Sequence, residues 1–153
     1  MKIYKIGIIG CGGIAQKMAA TLEKMKGVER YAVASRNQEK AEAFANKWGF
    51  TKAYGSYEEL ASDPEVDLIY IATPHAMHYD NAHMCIEKGK PVLCEKAFTA
   101  NARQAEDLLA FAKEKGVFIT EAIWTRYMPL SLKIQELLKE GVIGTPYTLS
   151  ANL

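Results

Sequence analysis

Short apolar runs alternate along this chain with longer stretches in which apolar residues return every three or four positions. The runs are Ile6–Ile9, Tyr31–Ala34, Leu68–Ile71, Val92–Leu93 and Val117–Ile119. Rich in β-branched and aromatic residues, they predict strands. Between them the spacing predicts helices, carried by Ile14, Met18, Leu22 and Met25, by Ala41, Phe44 and Trp48, and by Ala105, Leu108, Leu109 and Ala112. Gly27, Gly49, Gly89, Gly116 and Gly141 each follow such a stretch, where a helix can end in a left-handed residue. Ser56 with Glu59, and Asn101 with Gln104, fit N-terminal caps. Strands with almost no polar alternation, separated by helices, imply a sheet buried on both faces. The predicted fold is α/β: a doubly wound, mainly parallel sheet with helices on both sides.

The last thirty residues break the pattern. After Glu121 comes the irregular aromatic segment AIWTRYMP, then a helix with Leu132, Leu137 and Leu138 on one face. From Tyr147 to Leu153 apolar and polar residues alternate, as in a strand with one buried face. A lone strand is not stable. The organisation expected is therefore a first domain over 1–123, and over 124–153 the junction, helix and first strand of a second α/β domain.

Composition narrows the function. With 153 residues, 49% hydrophobic and 24% charged, the chain can bury an ordinary core without disulfides or metals. Its net charge of +1 gives no electrostatic reason to expect nucleic acid or an anionic membrane as partner. Three cysteines, Cys11, Cys85 and Cys94, without a close pair, read as reduced thiols of a cytoplasmic protein. The N-terminal apolar run is too short, and too interrupted by glycine, for a signal peptide or a membrane span.

The most specific chemistry lies at the first strand–helix turn. Gly10-Cys11-Gly12-Gly13-Ile14-Ala15 follows KIGII and opens a helix, reading GxGxxA. In that context Gly10 makes the tight turn and Gly12 lets backbone approach a pyrophosphate. Ala15 lets the helix pack closely on the strand. The helix N-terminus then offers unpaired N–H groups to phosphate. This predicts dinucleotide binding. A methyltransferase reading is disfavoured because no carboxylate ends the second strand.

At that place stands Ser35-Arg36, about 20 residues after the loop, as the fingerprint expects. An acidic residue there would hold a ribose 2′-hydroxyl, whereas an arginine accommodates a 2′-phosphate. Arg36 can pair with phosphate or stack on adenine, and Lys40 adds charge one turn on. NADP is expected, with NAD as the other possibility. Arg36 and Lys40 as plain solvated charges remain the bland alternative.

Two further clusters leave strands at their carboxyl ends, where open α/β sheets bind ligands. They are Ala72-Thr73-Pro74 within YIATPHAMHYDNA, and Glu95-Lys96 within VLCEKAFTANA. Taken with GIIGCGGIA, AYGSYEELASDPEVDLIYIATPHAMHYDNA, GKPVLCEKAF and EAIWTRYMP, they make the chain resemble the glucose–fructose oxidoreductase / inositol dehydrogenase / rhizopine-catabolism (Gfo/Idh/MocA) family of Rossmann oxidoreductases over its whole length. The serine–arginine pair and EAIWTRYMP look most like its dimeric dihydrodiol dehydrogenase / D-xylose dehydrogenase branch.

The resemblance implies that Lys96 is the active-site lysine, contacting the reacting hydroxyl beside the nicotinamide. A low-dielectric pocket next to a cationic ring suits a lysine that must give and take a proton. It also implies that His78, Glu95, Trp124 and Arg126 line the cofactor, although Trp124 equally reads as burying a domain seam. His75, His78 and His83 show no metal geometry with a carboxylate or cysteine, so no metal is expected. Cys94 reads as a small core residue. The family's Glu-Lys-Pro is here Glu95-Lys96-Ala97, which leaves the peptide after Lys96 open between cis and trans. The function expected is the cofactor half of an enzyme moving a hydride between NADP and a sugar, polyol or diol, the full-length protein being a homo-oligomer. The alternative is a non-catalytic dinucleotide-binding sensor or scaffold.

Overall fold

The computed structural model describes residues 2–150. Its chain divides into two units, Met1–Ala122 and Ile123–Leu153. The first holds six strands, β1 (Tyr4–Ile9), β2 (Val28–Ala34), β3 (Lys52–Tyr54), β4 (Leu68–Ile71), β5 (Val92–Cys94) and β6 (Ile119–Glu121). They are joined by helices α1 (Gly13–Leu22), α2 (Gln38–Trp48), α3 (Tyr57–Ser62), α4 (His78–Glu87) and α5 (Ala102–Lys115). All strand pairs are parallel, in the order β3-β2-β1-β4-β5-β6. The order reverses between β1 and β4, and there the loops leaving the two strands part to opposite faces. That is where open sheets of this kind bind nucleotides.

Both faces are buried, as the apolar runs predicted. One face packs Ile6, Ile8, Val33 and Tyr70 against Ala15, Ala19, Phe44 and Ala45 of α1 and α2. The other packs Ile9, Ala34, Ile69, Ile71 and Val92 against Leu60, Cys85, Ile86 and Leu108 of α3, α4 and α5. The caps hold too. Ser56 accepts from the Glu59 N–H and Asn101 from the Gln104 N–H, while Gly49 and Gly116 close α2 and α5 in the left-handed region.

Several expectations need correcting. Strand β3 carries no apolar run, only Lys52, Ala53 and Tyr54 at the sheet edge. Strand β6 lies two residues later than the run at Val117–Ile119, because Val117 is spent closing α5 with a bond to Ala112 O. Helix α1 stops at Leu22, and Met25, expected on its inner stripe, is exposed beyond it. Leu109 is 51% exposed. Leu108 and Ala112, four apart, set the inward line of α5, and Leu109 lies about 100° round the helix from Leu108.

The second unit has a 3₁₀ turn, Trp124–Tyr127, and helix α6 (Pro129–Lys139), which starts with proline at its first turn. None of the residues of α6 is buried. The alternating segment expected as a strand is unpaired over 147–150, with Tyr147 and Leu149 both 93% exposed. Backbone without a neighbouring strand has no ladder to join. Residues 151–153 of that expectation lie outside the described residues.

Candidate functional site

The glycine loop sits at the reversal of strand order. Gly10 leaves β1 with φ +100°, a conformation that side chains rarely adopt. A Cβ built there would lie 2.9 Å from the Ala72 carbonyl oxygen at the exit of β4. The turn is therefore tight for two separate reasons. The Gly10 N–H donates to Ala34 O at 2.9 Å, which draws the ends of β1 and β2 together. Gly12 and Gly13 are the opposite case: a Cβ on either meets nothing within 4 Å. Gly12 is the N-cap of α1 and offers no side-chain acceptor, so the first-turn N–H groups of α1 are left without a side-chain cap. Ala15 is fully buried against the sheet, and Cys11 and Ile14 flank the loop, Cys11 half-buried. This is a cradle with room for an anion and donors to hold it.

At the exit of β2, Ser35 is buried and pinned. Its N–H donates to Tyr54 O at 3.1 Å, and its hydroxyl accepts from the Asn37 N–H at 3.3 Å. The hydroxyl proton is thereby left for another acceptor. Arg36 is exposed, with no ion pair among the described residues. Asn37 caps α2 by accepting from the Lys40 N–H at 2.8 Å. The signal for that cap in the sequence is an asparagine three residues before Lys40. Burial pushes the Cys11 thiol up while the Lys40 ammonium pulls the other way, so the charge of Lys40 reaches the glycine loop.

The exits of β4 and β5 are tied to one another. Ala72 and Thr73 are buried and Pro74 is exposed. The Thr73 hydroxyl accepts from the Asn81 amide of α4 at 3.0 Å. His78, fully buried, does not project toward solvent as a cofactor-lining residue would. Its Nε2 lies 2.9 Å from Thr73 O and its Nδ1 lies 2.8 Å from Ala97 O. Each ring nitrogen thus faces a carbonyl, which imidazolium satisfies twice and the neutral ring once.

Glu95 and Lys96, just past the end of β5, part company. Glu95 turns inward, accepting from the Tyr70 hydroxyl and, at 3.1 Å, from the Lys96 N–H. Burial, then that carboxylate, push the Tyr70 hydroxyl far above its ordinary range, so it remains a donor. Lys96 is exposed, and the burial anticipated around its ammonium is absent among the described residues. The Lys96–Ala97 peptide is cis.

Glu121, at the end of β6, accepts from the Phe98 N–H at 2.8 Å. Cys94 is fully buried, its thiol pushed up to about 12 by burial and then by the Glu121 and Glu95 carboxylates. That suits a core residue rather than a nucleophile. Tyr70 and Glu121 carry no local sequence signal for these contacts, because both act through strand register. Ile71 pairs with Cys94, and Cys94 with Glu121. Trp124 and Arg126 lie in the 3₁₀ turn of the second unit, both exposed.

Known proteins resemble this chain in sequence and in fold. Residues 4–122 match the family model described as an oxidoreductase family with an NAD-binding Rossmann fold. The chain is 46% identical to the NADP(+) D-xylose 1-dehydrogenase of Hypocrea jecorina, over 97% of this chain and 41% of that protein. It is 44% identical to the trans-1,2-dihydrobenzene-1,2-diol dehydrogenase of Mus musculus, over 90% of this chain and 42% of that protein. Among solved structures, an NAD-binding oxidoreductase from Klebsiella pneumoniae superposes with a TM-score of 0.89 at 34% identity, covering 94% of this chain and 40% of that one. A 3-ketoreductase from Actinomadura kijaniata, solved with TDP-benzene and NADP, gives 0.83 at 31% identity, over 91% and 44%. The chain spans about two fifths of the length of these curated relatives.

Proposed function

The chain belongs to the Gfo/Idh/MocA oxidoreductase family with an NAD-binding Rossmann fold, and from that premise we propose that it is the cofactor-holding part of an NADP-dependent dehydrogenase acting on a sugar, polyol or diol. The observation that carries the reading is the open cradle at Gly12 and Gly13 beside Ser35 and Arg36, with no carboxylate at the exit of β2. Gly10, Cys11, Gly12, Gly13, Ile14 and Ala15 would form the pyrophosphate turn, and the uncapped N-terminus of α1 supplies N–H donors. Ser35 and Arg36 would hold the 2′-phosphate, the first through its unused hydroxyl proton and the second through its guanidinium. Ala72, Thr73, Pro74, Glu95 and Lys96 at the exits of β4 and β5 form the wall toward the nicotinamide. Once bound, the cofactor supplies the hydride acceptor or donor. Lys96 is the residue that would hold or release the proton of the substrate hydroxyl.

Trp124 and Arg126 are assigned to a junction, with 124–153 forming the start of a second, substrate-binding domain. That assignment is supported by the exposed apolar residues of α6, Leu130, Leu132, Ile134, Leu137 and Leu138. A homo-oligomer is proposed for the full-length protein from the sequence resemblance to the dimeric dihydrodiol dehydrogenase branch. A cytoplasmic setting fits three free cysteines, two of them buried, and no helix among the described residues is long and apolar enough to cross a membrane. The deciding experiment is calorimetric titration of NADP⁺ and NAD⁺ into the wild type, Arg36→Ala and Ser35→Asp. Loss of the arginine should weaken NADP⁺ about ten- to a hundredfold, the worth of a charge-assisted hydrogen bond. NAD⁺ binding should hardly change. Equal weakening of both cofactors would remove the 2′-phosphate assignment.

A further inference from the structure

We infer that His78 and Glu121 are positioning residues, a two-sided clamp that sets where Lys96 stands without either side chain meeting the cofactor. The inference rests on the NADP reading above. The segment leaving β5 is gripped at consecutive residues from opposite sides. His78, at the first turn of α4, holds Ala97 O, and Glu121, at the end of β6, holds Phe98 N. The other ring nitrogen of His78 lies 2.9 Å from Thr73 O at the exit of β4. Asn81, one turn along α4, fixes the Thr73 hydroxyl. Three strand exits are thus joined through two side chains, and Lys96 is the exposed residue immediately before the gripped pair.

Neither clamp residue has the geometry of a cofactor contact. The imidazole is fully buried, with both nitrogens already directed at backbone carbonyls. One oxygen of the Glu121 carboxylate is spent on the Phe98 N–H, and its negative charge is unsuited to a nucleotide phosphate. What both can do is remove freedom from the Lys96 segment. Supporting hydrogen bonds of this kind hold reactive groups in working geometry.

The clamp acts on the nicotinamide side of the site, while the adenosine side is built by Gly10 to Ala15 and Ser35-Arg36 on other strands. The test uses that separation. NADPH and adenosine 2′,5′-bisphosphate, which lacks the nicotinamide half, are titrated into the chain and into Glu121→Leu, Glu121→Gln and His78→Leu. Glu121→Leu and His78→Leu should weaken NADPH about tenfold, the worth of a hydrogen bond of ordinary strength. Both should leave the bisphosphate within about twofold, on the additivity of distant sites. Glu121→Gln keeps an acceptor for the Phe98 N–H and should restore NADPH binding.

A general loss of structure would weaken both ligands together, and that result in a folded Glu121→Leu overturns the inference. So does unchanged NADPH binding, or a Glu121→Gln as weak as Glu121→Leu. Should His78→Leu fail to fold, the half-buried Glu121 pair decides alone. A wild type that binds NADPH but not the bisphosphate removes the proposed adenosine-side assignment, and rescue of NADPH binding by Glu121→Gln then decides the clamp. A wild type that binds neither ligand defeats the cofactor reading itself, and this inference with it.

Discussion

Two alanine substitutions, two residues apart, should fail in different ways. At Gly10 the new methyl must accept φ +100° and sit 2.9 Å from Ala72 O, 3.1 Å from the Ala72 carbonyl carbon and 3.4 Å from Thr73 N. All three are backbone atoms, so no side chain can swing aside. The dihedral alone costs about 1–3 kcal/mol, and an overpacked contact between fixed elements adds about 1–3 kcal/mol. Gly10→Ala should therefore lose roughly 2–6 kcal/mol, or on the order of 10 °C in Tm for a chain of this size. At Gly12 the backbone has φ −83° and the methyl meets nothing within 4 Å. Gly12→Ala should change stability by less than about 0.5 kcal/mol, yet weaken NADPH at least about tenfold by standing where the pyrophosphate must approach. Thermal melts and calorimetric titration of the same samples separate the two. A Gly12→Ala variant that binds NADPH like the wild type, or melts as low as Gly10→Ala, would refute the reasoning.

The remaining predictions concern charge, burial and completeness. Burial alone would raise the Asp63 carboxyl, but hydrogen bonds from Tyr54, Lys52 and the Glu65 N–H hold it at about 2, below its ordinary 3.8. Its stabilisation, on the order of 2 kcal/mol, is complete above about pH 4 and is lost as pH falls toward 2. Asp63→Asn should thus melt lower than the wild type at pH 7, with the gap closing in acid; a gap independent of pH would refute this. Tyr70→Phe leaves the buried Glu95 carboxylate with one donor fewer and should cost about 1–3 kcal/mol in denaturant unfolding; an unchanged midpoint would show that water replaces the hydroxyl. The 153-residue chain should bind NADPH without turning over an aldose or diol, and steady-state hydride transfer by it would overturn the assignment of substrate contacts to a further domain.

What could be read from the sequence was local. The turn from Gly10 to Ala15, the caps at Ser56 and Asn101, and the serine–arginine pair after β2 are each specified within a few neighbouring residues. Both-face burial was legible because uninterrupted apolar strands such as Leu68–Ile71 leave no polar side for solvent. Strand β3 was illegible because three residues including Lys52 and Tyr54 carry no period, and its place comes from pairing with Ala32 to Ala34. The roles of Tyr70, His78 and Glu121 were hidden for a different reason. Their partners are 25, 19 and 23 residues away along the chain and become neighbours only through register and the packing of α4. The alternation after Tyr147 shows the converse, a clear strand pattern that makes no strand over 147–150 without a pairing partner.

The reversal of strand order also divides the site in time. The proposed phosphate turn and Ser35-Arg36 belong to β1, α1 and β2, so their residues are the first to leave the ribosome. The opposite wall is drawn from residues 72 to 121. The two meet where the Ala72 N–H donates to Ile9 O and Gly10 packs on the Ala72 carbonyl. The central pairing of β1 with β4 joins residues 62 apart, from Ile6 with Leu68 to Ile9 with Ile71, a separation that slows assembly. A nascent chain therefore carries the residues of the proposed phosphate grip before Tyr54 and Ala72 arrive to hold them in place. Dinucleotide present during synthesis would meet the grip first, and by binding the closed sheet it would favour the docking of β4 over its release.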